Sequence, residues 1–232
     1  MKKAGVTLKK VITADGTATL FVEELNEHYH SVHGAQQESL HVFIFNGMHY
    51  YITNYPARKP IRILEIGFGT GLNTLLTMVE LYKYIDAKVY FDTLEPYPVS
   101  LQDTLSLNYT GIFSAKIKES YLKFHTCKWQ EDIQIDNHLY FRKENVRLQD
   151  FITDKSYDIV YFDAFAPDKQ PDMWTPEVFT KLYGMMCDGG ILVTYCAKGQ
   201  LKRTLREVGF RVEVLPGPPG KREMTRAIKN PL

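Results

Sequence analysis

The sequence predicts an α/β fold in which helices cover both faces of a mainly parallel sheet. Three observations predict it: apolar, β-prone segments alternate with helical patterns from residue 61 onward, a glycine-rich turn follows the first of these segments, and two β-prone segments close the chain. This order is that of a Rossmann-like sheet. A β-rich stretch precedes it, so we expect an N-terminal β-hairpin extension of residues 1–55, packed on a main domain of residues 56–232.

The extension begins with a predicted hairpin. Val6–Ile12 and Thr17–Val22 are β-prone, and an Ala-Asp-Gly turn separates them. Glu24–Gln37 is polar and resembles a loop or a short helix. Leu40–Phe45 is apolar and aromatic, which leaves strand and helix open, and Ser39 could cap a helix there.

The main domain is predicted to alternate strands with helices. The predicted strands are Ile61–Ile66, Lys88–Leu94, Tyr157–Phe162 and Ile191–Cys196, and the predicted helices are Leu72–Tyr84, Pro98–Leu107, Thr175–Met186 and Lys198–Val208. Thr175 suits an N-cap with Pro176 at the first helical position, and Gly209 can end the last helix. Arg211–Leu215 and Met224–Ile228 are the closing strand pair.

Composition places the chain among soluble globular proteins, because 44% of its 232 residues are hydrophobic and 24% are charged. Its apolar runs fall far short of the roughly 18 residues that span a bilayer, so we expect no membrane span. No apolar stretch follows the basic N-terminus, which argues against a signal peptide. Cys127, Cys187 and Cys196 lack CxxC spacing, which favours free thiols in a reducing cytoplasm.

The net charge of +1 conceals an uneven distribution. Residues 1–10 carry four Lys and no acid, and residues 198–232 carry nine basic residues against three Glu. Residues 11–197 carry 15 basic and 24 acidic residues. Two basic ends around an acidic body suit a polyanionic partner, although a solvated surface with a basic tail explains the same pattern.

The strongest local motif joins the first strand of the main domain to its helix. Its residues are Glu65, Gly67, Phe68, Gly69, Thr70, Gly71 and Asn73. Alternate glycines allow a tight turn and a close backbone approach to a ligand, and the helix N-terminus offers free N–H groups. A dinucleotide site favours GxGxxG, with Gly or Ala where Leu72 stands. The GxGxG spacing after an acid favours S-adenosyl-L-methionine instead, with an ordinary βα turn as the alternative.

Acidic residues stand at two further strand ends. Glu95 ends the second strand, where a carboxylate can accept both ribose hydroxyls of a nucleoside cofactor. Asp150 follows the next strand-like piece and is predicted to face the adenine amino group. The alternative for Asp150 is the N-cap of a short helix at Phe151–Thr153.

A second motif follows the strand Tyr157–Phe162. Asp163 ends that strand, and a loop rich in proline and aromatic residues continues to Trp174. Catalytic residues collect at the C-terminal ends of strands in such sheets, so Asp163 is the predicted catalytic residue. Phe165 and Trp174 are predicted to stack on a flat base. A capping Asp and core aromatics are the alternative.

Three histidines, His28, His30 and His33, invite a metal interpretation. They have no Cys nearby and no helical i,i+4 pair, so no metal site is predicted. Whether these side chains contact cofactor or substrate stays open.

Together these segments resemble the tRNA 5-aminomethyl-2-thiouridine methyltransferases. The likeness rests on His28–Ser31, Gly34–Phe43, Glu65–Asn73, Glu95–Pro98, Asp163–Thr175 and Pro216–Met224, and so spans nearly the whole chain. The segment that begins at Asp163 is the most selective, because the glycine turn would fit any methyltransferase. The resemblance implies a Rossmann-like class I fold that binds S-adenosyl-L-methionine. It also implies that Glu65, Gly67, Glu95 and Asp150 line the cofactor and that Asp163 faces an acceptor amine.

The activity that the resemblance implies is N-methylation of the aminomethyl group of wobble 5-aminomethyl-2-thiouridine in tRNA. The expected partner is then the tRNA anticodon stem-loop, bound in part by Lys221 and Arg222 of the basic C-terminal segment. Such domains are often fused to a flavin-dependent oxidase, but no second dinucleotide domain follows here, so no flavin is expected. The alternatives are methylation of a small-molecule or protein amine, and an RNA-binding module without activity. Residues 113–143 match no motif beyond a hairpin at Asp136-Asn137.

Overall fold

The computed structural model describes residues 7–57, 60–84 and 86–230. Val6, the first residue of the predicted hairpin, lies outside the described residues, and so do the lysines at positions 2 and 3 of the basic N-terminus.

The N-terminal extension forms a small antiparallel sheet. Its strands are β1 (Leu8–Ile12), β2 (Ala18–Val22) and β3 (Glu27–His28), in that spatial order. The predicted hairpin is therefore confirmed, and the polar stretch after it adds a short third strand. Asn108 ties this sheet to the rest of the molecule, because its Oδ1 accepts the Ala18 N–H at 2.7 Å and its Nδ2 donates to the Gly16 carbonyl at 2.8 Å.

Residues 35–54 are helical throughout: α1 (Ala35–Ser39) leads into a π-helical stretch (Leu40–His49) and then α2 (Tyr50–Asn54). The open choice at residues 40–45 is thus resolved as helix. Ser39 lies inside the helix rather than at its cap, which Gly34 occupies. This half of the extension is not β-rich, and placing the domain boundary at residue 55 stays a prediction.

Residues 35–54 form a helix because one of its faces is buried against the large sheet. Phe43 and Ile44 are almost fully buried, and Tyr51 donates a hydrogen bond to Asp158 at 2.7 Å. Gly47 permits close packing, because a Cβ there would lie 3.1 Å from the Tyr161 ring. Burial against the large sheet decides between helix and strand, which an apolar run alone does not.

Among the described residues, eight strands form the large sheet. In spatial order they are β10 (Phe210–Pro216), β11 (Glu223–Lys229), β9 (Met186–Thr194), β8 (Tyr157–Phe162), β4 (Ile61–Ile66), β5 (Val89–Leu94), β7 (Leu139–Glu144) and β6 (Ile133–Gln134). The strands from β9 to β7 pair in parallel, whereas β11 lies antiparallel between β9 and β10. The predicted mainly parallel sheet and closing strand pair are confirmed.

Helices cover both faces of this sheet. One face packs against residues 35–54, α3 (Leu72–Leu81) and α5 (Ala115–Thr126); the other packs against α6 (Pro176–Met185) and α7 (Gly199–Val208). A short α4 (Leu101–Leu105) follows β5. The Thr175 hydroxyl accepts the Val178 N–H at 3.4 Å, and Gly209 ends α7 with φ of 113°, as predicted. Across the described ranges no helix is long and apolar enough to cross a membrane.

The structure differs from the sequence-based elements chiefly in residues 113–143. The predicted hairpin is present as β6 and β7, but α5 was not predicted. Its buried side chains are few (Ser120, Tyr121 and Phe124), so its helical period is weak in the sequence.

Candidate active site

A cavity of about 1370 Å³ opens where the parallel strands of the large sheet end. The segments that follow β4, β5, β7 and β8 line it, and the small sheet supplies part of another wall. Carboxyl ends of parallel strands meet at one edge, which is where ligands bind in open α/β sheets. The topology therefore brings the predicted strand-end residues to one place.

The glycine turn after β4 has the strained backbone that its sequence indicates. Gly67, Gly69 and Gly71 all have positive φ, at 92°, 51° and 75°. A Cβ on Gly67 would lie 2.8 Å from the Asp163 carbonyl oxygen, and one on Gly69 would lie 3.0 Å from the Tyr29 ring. Only glycine fits both the backbone conformation and the space at Gly67, and at Gly69 a side chain would require the Tyr29 ring to shift.

Phe68 and Thr70 also line the cavity, but their side chains contact the protein interior. Phe68 is buried and packs against His125, with ring centroids 4.9 Å apart. The Thr70 hydroxyl lies 3.0 Å from the Tyr109 hydroxyl. These side chains fix the turn, which leaves its backbone to meet a ligand.

Glu95 lies at the end of β5, as predicted, and its carboxylate faces the turn. One oxygen accepts the Gly69 N–H at 2.9 Å and the other accepts the Tyr97 N–H at 2.8 Å. Burial raises the pKa of this carboxyl, and the two backbone donors oppose that effect. Each oxygen keeps a further lone pair that can accept from a ligand hydroxyl.

Glu65 is placed differently from its prediction, because it lies beneath the glycine turn and outside the cavity lining. It is fully buried and accepts from the Thr93 hydroxyl at 2.7 Å. Burial raises its pKa to about 8, so it carries a proton at neutral pH. Its Oε1 has no hydrogen-bond partner. The residue supports the turn from below.

Asp163 follows β8 and reaches the cavity, as predicted. Asn73 Nδ2 donates to its Oδ2 at 2.8 Å, and the Ser39 hydroxyl donates to Asn73 Oδ1 at 2.5 Å. Asn73 was assigned to the cofactor, but its amide is used to hold Asp163. Burial raises the pKa of Asp163 to about 7, with the Asn73 hydrogen bond opposing the shift. A carboxyl with this pKa is suited to exchanging protons at neutral pH.

Three residues of the cavity were not recognised from sequence: Glu38, Tyr195 and Tyr29. Lys221 Nζ donates to Glu38 Oε1 at 2.5 Å and lies 3.9 Å from the centre of the Tyr195 ring. Tyr29 packs its ring edge-on against Phe165 at 5.2 Å. No strand-end pattern of the main domain marks Glu38 and Tyr29, because they belong to the extension, and Tyr195 lies just beyond the end of β9.

Five predicted site residues lie outside the cavity lining: Glu65, Gly71, Asp150, Trp174 and Arg222. The positions of Asp150 and Trp174 correct the sequence interpretation. Asp150 is exposed, ends a turn at Leu148–Asp150, and binds Arg147 at 2.7 Å; no helix follows it either. Trp174 packs against Phe162 and donates its Nε1–H to the Phe165 carbonyl at 2.9 Å, so it shapes the loop. Arg222 is exposed and lies outside the lining, which leaves its contact with tRNA a prediction.

Part of the basic C-terminal segment is used within the fold, whereas Lys198, Arg203, Arg206, Arg211 and Arg222 are exposed. Lys202 pairs with Glu223 at 2.7 Å, and Lys229 Nζ donates to the Met186 carbonyl at 2.9 Å. Arg226 is buried and lies 3.4 Å from the centre of the Tyr50 ring. The excess charge of this segment therefore overstates the positive surface that it presents.

The histidines have separate positions. His28 and His30 line the cavity, whereas His33 lies against the turn at Gly220. Burial lowers the pKa of His30 to about 4, so it is neutral at physiological pH. In the part of the chain that the structure describes, no three His, Cys, Asp or Glu side chains are grouped to hold a metal ion.

The residues fit an S-adenosyl-L-methionine site. The glycines carry no side chains, so the backbone of the turn can meet a ligand, and the Glu95 carboxylate keeps lone pairs that can accept further hydrogen bonds. In the large sheet, β11 lies antiparallel between β9 and β10. The glycine turn and Glu95 both lie where the parallel strands end. Fold and site together define a class I methyltransferase that uses S-adenosyl-L-methionine.

The chain belongs to a family described as S-adenosyl-L-methionine-dependent methyltransferase, which matches residues 110–230. It is 30% identical to the tRNA 5-methylaminomethyl-2-thiouridine biosynthesis bifunctional protein MnmC of Leptospira interrogans, over 92% of this chain and 34% of that protein. The chain is also 30% identical to the MnmC of Pseudomonas syringae pv. tomato, over 88% of this chain and 32% of that protein. The chain thus spans about a third of the length of these relatives.

Among solved structures, MNMC2 from Aquifex aeolicus is similar in fold. Its TM-score is 0.77, with 24% identity, and the match covers 100% of this chain and 74% of that one. The likeness supports the class I methyltransferase fold.

Proposed function

We propose that this methyltransferase N-methylates the aminomethyl group of wobble 5-aminomethyl-2-thiouridine in tRNA, giving 5-methylaminomethyl-2-thiouridine. Similarity to the MnmC proteins supports methylation of tRNA, and the Asp163 site supports an amine acceptor. The observation that carries the proposal is a carboxyl of pKa about 7, held by Asn73 at the strand end that faces the cavity. The proposed reaction takes place in the cytoplasm, and the proposed partner is the anticodon stem-loop of tRNA.

The size and charge of the cavity suit two ligands at once. Its volume of about 1370 Å³ exceeds the roughly 300–1,000 Å³ of a site for one drug-sized ligand. Its charged lining within the described residues consists of Glu24, Glu27, Glu38, Glu95, Asp103, Asp163, Asp172, Arg147, Lys169 and Lys221. Carboxylates outnumber basic groups there, which favours a sulfonium cofactor and an ammonium acceptor over a phosphate chain. The tRNA backbone must then bind outside the cavity.

Asp163 would prepare the acceptor for attack. An alkyl amine resembles the lysine side chain, whose pKa is about 10.4, so it arrives protonated and cannot attack until the proton leaves. Asp163 would orient the amine and accept that proton, directly or through water. Bound S-adenosyl-L-methionine supplies a methyl group that is already reactive. The remaining task of the protein is alignment, which Asn73 serves by fixing the carboxylate.

Glu95 and the turn Gly67–Gly71 would hold the cofactor, with Glu95 accepting from the ribose. Leu148 and Gln149 line the cavity beside Asp150 and are the better candidates for the adenine side. Phe165 and Tyr29 would enclose the acceptor base, because both rings line the cavity near Asp163.

Glu95→Ala is expected to weaken cofactor binding by about 1–3 kcal/mol, because hydrogen bonds to the ribose and to the turn are lost. Isothermal calorimetry with S-adenosyl-L-methionine measures this directly. Glu144→Ala is the matched control: Glu144 also ends a strand and is buried, but it binds Arg142 at 2.6 Å outside the lining. Equal affinity of Glu95→Ala and the control variant would place the ribose elsewhere.

The proposal is tested by methylating tRNA that bears the aminomethyl group, taken from a strain without this gene. Nucleoside analysis should show 5-methylaminomethyl-2-thiouridine only when protein and cofactor are both present. Already methylated tRNA is the control and should accept no label. Methylation of free amines but not of tRNA would establish the small-molecule or protein alternative, and tRNA binding without methylation would establish the RNA-binding module.

A further inference from the structure

Two charged side chains from opposite ends of the chain meet in the cavity that Asp163 also lines. Glu38 lies on α1 and is buried, whereas Lys221 lies in the turn between β10 and β11. Lys221 Nζ donates to Glu38 Oε1 at 2.5 Å, and the Ser31 N–H donates to Oε2 at 2.8 Å. The pair links the N-terminal extension to the last turn across the site.

This pair is connected to the strand end that bears Asp163. The Lys221 ammonium lies 3.9 Å from the centre of the Tyr195 ring. The Tyr195 hydroxyl donates at 2.8 Å to the carbonyl of Ala164, the residue after Asp163. All of these residues line the one cavity. The contacts hold both charges in this cavity, where each acts electrostatically on the Asp163 carboxyl.

We propose that Glu38 and Lys221 act as paired positioning residues that keep Asp163 ready to accept a proton from the acceptor amine. The inference rests on the proposed function, and it assigns the pair a task that the cofactor site does not need. The carboxylate of Glu38 disfavours a second negative charge nearby, and the ammonium of Lys221 favours one. Their balance decides whether Asp163 holds or releases its proton at neutral pH.

The other titratable groups near Asp163 carry no charge at neutral pH. Glu65 is protonated, because its pKa is about 8, and His30 is neutral, because its pKa is about 4. Burial raises the pKa of the Tyr195 hydroxyl further above neutral pH, and Asn73 does not ionise. Of the groups that the structure describes around this carboxyl, Glu38 and Lys221 are therefore the charged ones. Burial is the larger cause of the raised Asp163 pKa; Glu38 adds to it and Lys221 opposes it.

The test is a carbon-13 NMR titration of the Asp163 carboxyl in the cofactor-free protein, with the signal assigned by its loss in Asp163→Asn. Lys221→Met should raise the midpoint by about one pH unit, because a stabilising cation is lost and Glu38 is left unpaired. Glu38→Gln should lower it by a similar amount. The double variant should return it towards wild type. Each single variant tests the inference alone if the other does not fold.

A matched pair in the same part of the chain provides the control. Lys202 and Glu223 are joined at 2.7 Å outside the cavity, so Lys202→Met and Glu223→Gln should leave the midpoint in place. A purely structural role for Glu38 and Lys221 would lower the melting temperature without moving the Asp163 midpoint, and that result would overturn the inference. Because the titration needs no tRNA, it is independent of whether the proposed substrate is right.

Discussion

Replacement of Asp163 by Asn is expected to slow single-turnover methyl transfer to aminomethyl-bearing tRNA by about 10²- to 10⁴-fold. Asn is nearly the same size and can still accept the hydrogen bond from Asn73, but it cannot take a proton. Cofactor affinity and melting temperature should therefore stay near wild type. The rate of the wild-type protein should rise as pH passes about 7, because Asp163 must be ionised to act as a base. That inflection should be absent from the variant.

Asp168→Asn is the control for this variant. Asp168 lies in the same loop, but it is exposed and pairs with Lys198 at 3.0 Å. Its replacement should leave the rate within a few-fold of wild type. If Asp163→Asn also stays within a few-fold, the residue only supports the turn that follows it, and the catalytic role is wrong.

Gly67→Ala is expected to abolish measurable cofactor binding and to destabilise the protein. Its φ of 92° is costly for alanine, and the new Cβ would lie 2.8 Å from the backbone carbonyl of Asp163. Backbone strain of this kind costs about 1–3 kcal/mol before the clash is added. Relief of the clash requires the turn or the backbone at Asp163 to move, and both line the cavity. Thermal unfolding and calorimetry with S-adenosyl-L-methionine measure the two effects.

The control for strain is Gly184→Ala in α6. A Cβ at Gly184 would meet nothing within 4 Å, and its φ is not positive. Alanine should therefore be tolerated there, with a gain of up to about 1 kcal/mol from helix propensity. Normal cofactor affinity in Gly67→Ala would show that the turn can move without loss, contrary to the proposed site.

Local sequence patterns were sufficient to predict much of this fold. Alternating strands and helices from residue 61, the cap at Thr175 and the stop at Gly209 are all found where expected. The glycine turn, Glu95 and Asp163 reach the cavity as predicted for the same reason, since each stands directly at a strand end. The edge to which a parallel strand points is fixed by its direction alone.

Local pattern failed where burial by distant residues decides the outcome. The pattern of residues 40–45 fits a strand and a helix equally. The helix is decided by packing against the large sheet, where Tyr161 and Val193 lie next to Gly47. The helix α5 buries so few side chains that its period is faint in the sequence. Asp150 stands at the predicted place along the chain, but a single turn of backbone directs it towards Arg147 and away from the cavity.

The sequence by itself determined the class of this protein: a mainly parallel α/β sheet, a cofactor turn after β4, and an acidic residue at the end of each strand that flanks β4. Only the tertiary structure decided the surroundings of Asp163. Glu38 and Lys221 are 183 positions apart, yet their side chains meet in the cavity that Asp163 lines, and both influence its carboxyl electrostatically. Asn73 lines the cavity and holds Asp163, whereas Glu65 is buried outside the lining, although both belong to the same sequence motif. The physical reason is that the proton affinity of a carboxyl depends on burial and on nearby charge, and both are set by residues that only folding brings together.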